Sequence, residues 1–160
     1  MKTFNRRAKV LAIILGRIGS KGLPRKNIRN LCGLPLIGYS IRVALASRLV
    51  DRVVVSTDSE EIASVSRELG AEVPFLRPRH LAGDQSLISE AVHHALAELR
   101  ANGYNPDAVV SLYPTHPFRT VRMVDELTAK LLEGYSPVST VRRVRHGGAS
   151  ACLRAGDGML

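Results

Sequence analysis

Val10-Leu-Ala-Ile-Ile-Leu15 runs directly into Gly16-Arg17-Ile18-Gly19-Ser20-Lys21-Gly22-Leu23-Pro24-Arg25-Lys26-Asn27. The six apolar residues read as a strand buried on both faces, the pattern of a parallel sheet. The segment behind them holds three glycines, a cluster of cations and no acid. Ligands of open parallel sheets sit beyond the carboxyl ends of the strands. Glycines there let backbone amides approach phosphate oxygens closely. Arg17 can fork onto two such oxygens, while Lys21 and Lys26 act as point charges. The spacing fits neither a Walker A loop nor GxGxxG, because Lys21 precedes a glycine and the glycines stand at 16, 19 and 22.

Further β-branched runs at 53–55, 73–76, Ala108–Leu112 and 138–141 read as strands. Helical periodicity lies between them. Ile37, Ile41, Ala44 and Leu45 share one face, and Ile62, Val65 and Leu69 share another. Ile88, Val92, Ala95, Leu96 and Leu99 make a third stripe, and Val124, Leu127 and Leu131 a fourth. Asp58-Ser-Glu-Glu61 reads as a capping box with Asp58 as the cap. Gly70, Gly103 and Gly134 follow helical stretches, where a left-handed residue is wanted. Repeated β-α-β units predict one α/β domain, three-layered and doubly wound around a mostly parallel sheet. Asp157-Gly158 suggests a hairpin turn near the end.

The chain has 160 residues, 45% hydrophobic and 23% charged, which excludes a disordered or fibrous protein. No apolar run approaches the ~20 residues of a membrane span. The short apolar run behind the basic N-terminus does not make a signal peptide. Cys32 and Cys152 are too far apart for a disulfide framework or a zinc ribbon, and reduced cytosolic thiols are expected. Lysine plus arginine is 23 against 14 acids, and residues 1–29 hold nine cations and no acid. A localised positive field of this kind attracts a polyanion or a phosphate-rich ligand. Aromatic residues are only 4%, which argues against a single-strand nucleic-acid reader. His93 and His94 are adjacent, cannot form an i, i+4 metal pair, and read as surface residues. Cys32 reads as a small apolar filler. Asp84 is a candidate for a hydrogen bond in the site. His116 is either a ligand contact or a plain loop residue, and Tyr113 either stacks on a ligand or plugs a strand end.

Arg17-x-Gly-Ser-Lys21-Gly-x-Pro-x-Lys26-Asn27, followed by Leu31-x-Gly33-x-Pro35-Leu36-Ile37, resembles the start of the CMP-sialic acid synthetases. These are the acylneuraminate cytidylyltransferases, relatives of the CMP-Kdo synthetases. Asp51-Arg-Val-Val-Val-Ser-Thr-Asp58 is similar to the family's second strand, and Gly70-Ala-Glu-Val-Pro-Phe-Leu-Arg77-Pro to its third. Leu81-Ala82-x-Asp84-x-Ser86 resembles the loop that follows, and Pro114-Thr-x-Pro117-x-Arg119 the family's QPTSPLR-like segment.

The resemblance implies the nucleotide-diphospho-sugar transferase type of fold. It implies transfer of CMP from CTP to a sialic-acid-like nonulosonic acid, with release of pyrophosphate and with magnesium as cofactor. It further implies a cytoplasmic homodimer serving cell-surface polysaccharide synthesis, with no membrane or nucleic-acid partner. Leu15, Gly16, Arg17, Gly19, Ser20, Lys21, Lys26, Asn27, Arg77, Asp84 and Ser86 match nucleotide-binding positions, with Arg17 and Lys21 in the catalytic role. Tyr113, Thr115, His116 and Arg119 match sugar-binding positions. Three residues depart from the pattern: Tyr113 stands where glutamine is usual, His116 where serine is, and Ile18 where glycine is. The first two imply an atypical sugar acid. The family continues well past residue 160, so the resemblance implies one domain over 1–160, truncated at its C-terminus, with 135–160 opening a dimerisation arm. The late aspartates that hold magnesium would lie beyond it. The alternatives are a truncated or degenerate chain that binds CTP without turnover, or a basic module for RNA or another polyanion.

Overall fold

A computed structural model of the chain describes residues 8–20 and 22–140. Lys21, Cys152, Asp157-Gly158, Val141 and the part of the dimerisation arm after residue 140 lie outside the described residues. The chain forms β1 (Val10–Leu15), a hairpin of β2 (Asn30–Leu31) and β3 (Leu34–Pro35), α1 (Leu36–Ala46), β4 (Arg52–Ser56), α2 (Glu60–Glu68), α3 (Ile88–Ala101), β5 (Ala108–Leu112) and α4 (Val121–Leu132). Short 3-10 turns occupy Lys26–Ile28 and Arg79–Leu81.

β1 lies between β4 and β5, parallel to both, with Ile13 opposite Val54 on one side and Ser111 on the other. A strand covered on both faces alternates between two cores. Ala12 and Ile14 pack with Val53 and Val55 against Ile37 and Ile41 of α1, Ile62 of α2 and Val124 of α4. Leu11 and Ile13 pack with Val54 against Ala95 and Leu99 of α3. These are the three layers that the alternating pattern predicts.

Several local expectations change. Residues 73–76 form no strand. The segment is joined to the sheet by a single bridge from Glu72 to Val54, because Pro74 has no amide to offer a ladder. Residues 138–140 form no strand either. Leu45 and Ile88 point outward, 48% and 56% exposed, because each lies at the margin of its helix's buried stripe. Ser59, not Asp58, caps α2, accepting from the Ile62 amide. Asp58 instead accepts the Ile18 amide across the strand ends at 3.1 Å. Cys32 is exposed and does not fill a core. It sits with Gly33 in the two-residue turn between β2 and β3, both at positive φ (50° and 89°), which the twist of a tight hairpin requires. His94 is largely covered, with its ring edge-on to Phe75. Gly70, Gly103 and Gly134 all take positive φ after their helices, as expected.

Candidate active site

The chain leaves β1 toward β4 on one side and reaches β5 on the other, so the strand order reverses beside β1. The crevice at such a switch point is where open α/β sheets bind ligands. A cavity of about 700 Å³ opens there. Its floor is Leu15, its first wall Arg17, Ser20, Gly22, Lys26 and Asn27, and its second wall the segment 77–91. Tyr113, Pro114, Thr115 and His116, from the turn after β5, close the third side.

Packing shapes the first wall. The Gly16 amide continues the pairing of β1 by donating to the Ser56 carbonyl at 3.1 Å. A Cβ on Gly16 would stand 3.0 Å from Ile37 Cδ1. That glycine therefore answers to the core under the loop, and it lies outside the cavity lining. Gly19 also lies outside it. Asn27 is 5% exposed, and its Nδ2 donates to the Arg17 carbonyl at 2.7 Å. The Arg17 guanidinium crosses the crevice to the facing segment, donating to the Ala82 carbonyl at 3.3 Å and pairing with Asp84 at 2.8 Å.

Arg77 is the deepest cation, 6% exposed. Its amide donates to the Thr57 carbonyl and its Nη2 to the Gly16 carbonyl, while Nε is buried without a hydrogen-bond partner. Burial, reinforced by Arg17 and opposed by Asp58, holds the guanidinium below its ordinary pKa. Two guanidinium groups thus line one crevice, an arrangement that favours an incoming anion. Ser86 braces the second wall. Its hydroxyl donates to the His80 carbonyl at 2.8 Å and accepts the Gly83 amide at 3.0 Å.

A larger hollow, about 840 Å³, runs between the outer side of β5 and α4. It is lined by apolar groups such as Val110, Met123, Leu127 and Val138, and the exposed Phe118 stands at its edge. The smaller crevice is the better candidate because it concentrates positive charge at the switch point. Arg119 lines the larger hollow and not the crevice, whereas Tyr113, Thr115 and His116 line both. The Arg119 Nη1 donates to the Tyr113 carbonyl at 3.0 Å, and burial holds the Arg119 pKa down.

The family described as Cytidylyltransferase matches residues 11–151 of this chain. The chain belongs to that family. It is 42% identical, over 137 residues, to the CMP-N,N'-diacetyllegionaminic acid synthase of Legionella pneumophila, covering 82% of this chain and 59% of that protein. It is 39% identical, over 128 residues, to the pseudaminic acid cytidylyltransferase of Campylobacter jejuni, covering 80% and 55%. The chain thus spans a little over half the length of these two relatives. A solved structure of CMP:2-keto-3-deoxy-manno-octonic acid synthetase complexed with CTP superposes with a TM-score of 0.68. It covers 79% of this chain and 48% of its own at 21% identity, a likeness of fold.

Seen as a cytidylyltransferase, the crevice gathers eight of the eleven nucleotide positions named from the sequence, with Gly16 and Gly19 outside the lining and Lys21 outside the described residues. Leu81, Ala82, Leu87, Ile88 and Ala91 line it as well. Their apolar residue types do not announce a ligand wall; they come from the end of the turn at Arg79–Leu81 and from the start of α3. Among the described residues no three carboxylate, histidine or cysteine groups cluster, Asp84 is paired with Arg17, and Asp58 accepts the Ile18 amide.

Proposed function

We propose that the protein transfers CMP from CTP to a sialic-acid-like nonulosonic acid. The reading is carried by the crevice at the switch between β1 and β5, where Arg17, Lys26 and Arg77 face Tyr113, Thr115 and His116. Its family and the names of its relatives agree with it. The triphosphate would lie along the loop after β1, with Arg17 and Lys21 stabilising its charge and Asn27 holding the loop in shape. Arg77, Asp84 and Ser86 belong to the nucleoside side, and Tyr113, Thr115 and His116 to the sugar side. The sugar hydroxyl oxygen attacks the α-phosphorus in line. The bond from that phosphorus to the bridging oxygen breaks, and pyrophosphate leaves with the electron pair. Homodimerisation and a cytoplasmic setting belong to the same reading and rest on the family resemblance. Among the described residues, no helix is long and apolar enough to cross a membrane.

The test is incubation with magnesium, CTP and, separately, legionaminic, pseudaminic and N-acetylneuraminic acids, followed by mass spectrometry for the CMP-sugar and an assay for pyrophosphate. A CMP-sugar with at least one acid is expected. CTP hydrolysis or binding without any CMP-sugar overturns the reading.

A further inference from the structure

We infer that His116 is the general base that removes the proton from the attacking sugar hydroxyl. The inference rests on the transfer reaction proposed above, which needs an acceptor for that proton. Among the described residues, the charged and titratable groups lining the crevice are Arg17, Lys26, Arg77, Asp84, Tyr113 and His116. The three cations carry their protons and accept none. Asp84 is committed to Arg17 at 2.8 Å. The Tyr113 hydroxyl is itself an O–H donor. The imidazole remains, the side chain most often used for proton transfer in enzymes.

The local structure sets this exposed imidazole on a fixed turn. Tyr113-Pro-Thr-His116 forms a turn in which the His116 amide donates to the Tyr113 carbonyl at 3.1 Å. Pro114 is buried and presets the backbone angle of the turn's second residue. The same Tyr113 carbonyl accepts Nη1 of Arg119, which also reaches Ser40 Oγ of α1 at 3.5 Å. The turn is therefore pinned to the helix behind it, and Arg119 is a positioning residue. Thr115 Oγ1 lies 3.2 Å from His116 Nδ1. With Nδ1–H donating to that hydroxyl, Nε2 presents its lone pair for the incoming proton. In the step, the sugar O–H bond breaks, the proton passes to Nε2, and the oxygen forms its bond to the α-phosphorus as pyrophosphate departs. The Tyr113 ring lies beside it, 6.5 Å from the imidazole and tilted by 58°.

The test compares wild type with His116→Gln and His116→Gly. Calorimetry measures CTP affinity, and single-turnover CMP-sugar formation is followed against pH. CTP affinity within about twofold of wild type is expected for both, with a chemical step slower by about 10²–10⁴-fold. The wild-type rate should fall on the acid side, His116→Gln should lose that fall, and added imidazole should restore rate to His116→Gly. A His116→Gln rate within tenfold of wild type, or a slow variant that keeps the wild-type pH profile, overturns the inference alone. A wild-type protein that binds CTP but makes no CMP-sugar overturns the transfer reading and this one with it.

Discussion

Asn27 Nδ2 donates to the Arg17 carbonyl at 2.7 Å, so a buried amide in a short helical turn holds the backbone from which the crevice's first guanidinium extends. The bond spans ten residues of a glycine-rich loop, which the Ile18 amide also ties to Asp58.

Asn27→Leu keeps the branched shape, removes the donor and leaves the Arg17 carbonyl without this partner. The cost of such a buried unpaired group is about 1–3 kcal/mol. A lower urea midpoint with an unchanged denaturant slope is the expected outcome. CTP affinity should fall as well, because the loop loses its shape. An unchanged midpoint would contradict the clamp.

Arg17→Ala should weaken CTP far more than CMP. Each charge-assisted contact to phosphate contributes about 1.5–3 kcal/mol, roughly tenfold or more in affinity. Calorimetry with both nucleotides is the check. Equal losses would move Arg17 away from the β- and γ-phosphates.

Gly38→Ala should destabilise the protein although alanine favours a helix over glycine by about 1 kcal/mol. The added Cβ would stand 2.9 Å from both Cγ and Cδ1 of Leu34 and 3.1 Å from Leu69 Cδ1. Leu34 is buried and close to the backbone there, so it cannot simply swing aside. Overpacking costs typically about 1–3 kcal/mol and outweighs the helix gain. A fall in melting temperature is the expected readout, and a rise would refute it.

The residues most legible in the sequence were those whose neighbours are set by one physical rule. β1 and β5 were bounded correctly because a strand buried on both faces leaves an unbroken apolar run. The crevice was legible on its first wall because strand end, glycines and cations coincide in one segment. The second wall was less so. Asp84 stood out as a polar candidate, but its pairing with Arg17 depends on a turn between residues far apart in the chain. Residues 73–76 looked like a strand because valine, phenylalanine and leucine favour one, yet a proline among them leaves only a bridge. Asp58 had the residue type of a helix cap, but the Ile18 amide competes for it and Ser59 does the capping.

Tyr104 predicts a pH effect. Burial first, then Asp51, Glu72 and Asp107, raise its phenol above the ordinary value, against the nearby Arg52. The native state therefore holds this proton to higher pH than the unfolded chain does. Stability from this group is fully present below about pH 10, the unfolded value, and is lost as pH rises through the folded value. Tyr104→Phe keeps the ring beneath Arg52, 4.6 Å from the guanidinium carbon, and removes a hydroxyl buried without a partner. The variant should match wild type to within about 1 kcal/mol at neutral pH and lose less stability in the alkaline range. Urea titrations at several pH values decide it, and parallel curves for the two proteins would count against the assignment.

The central position of β1 has a consequence for how the chain comes together. Asp51, next to β4, bonds the Val10 amide across 41 residues, whereas Asp107, next to β5, bonds the Lys9 amide across 98. Closing a loop about twice as long costs only about 0.6 kcal/mol more, but each closure must precede the reward from its own ladder. On a ribosome, the first strand emerges early and waits for a partner on its second side until Ala108 has been made. Five of its residues, Val10 to Ile14, are fully buried in the finished fold, so the nascent chain carries an apolar ribbon until β5 has been made. That interval, rather than the native state, is when this protein is most open to mispairing and most in need of chaperone cover.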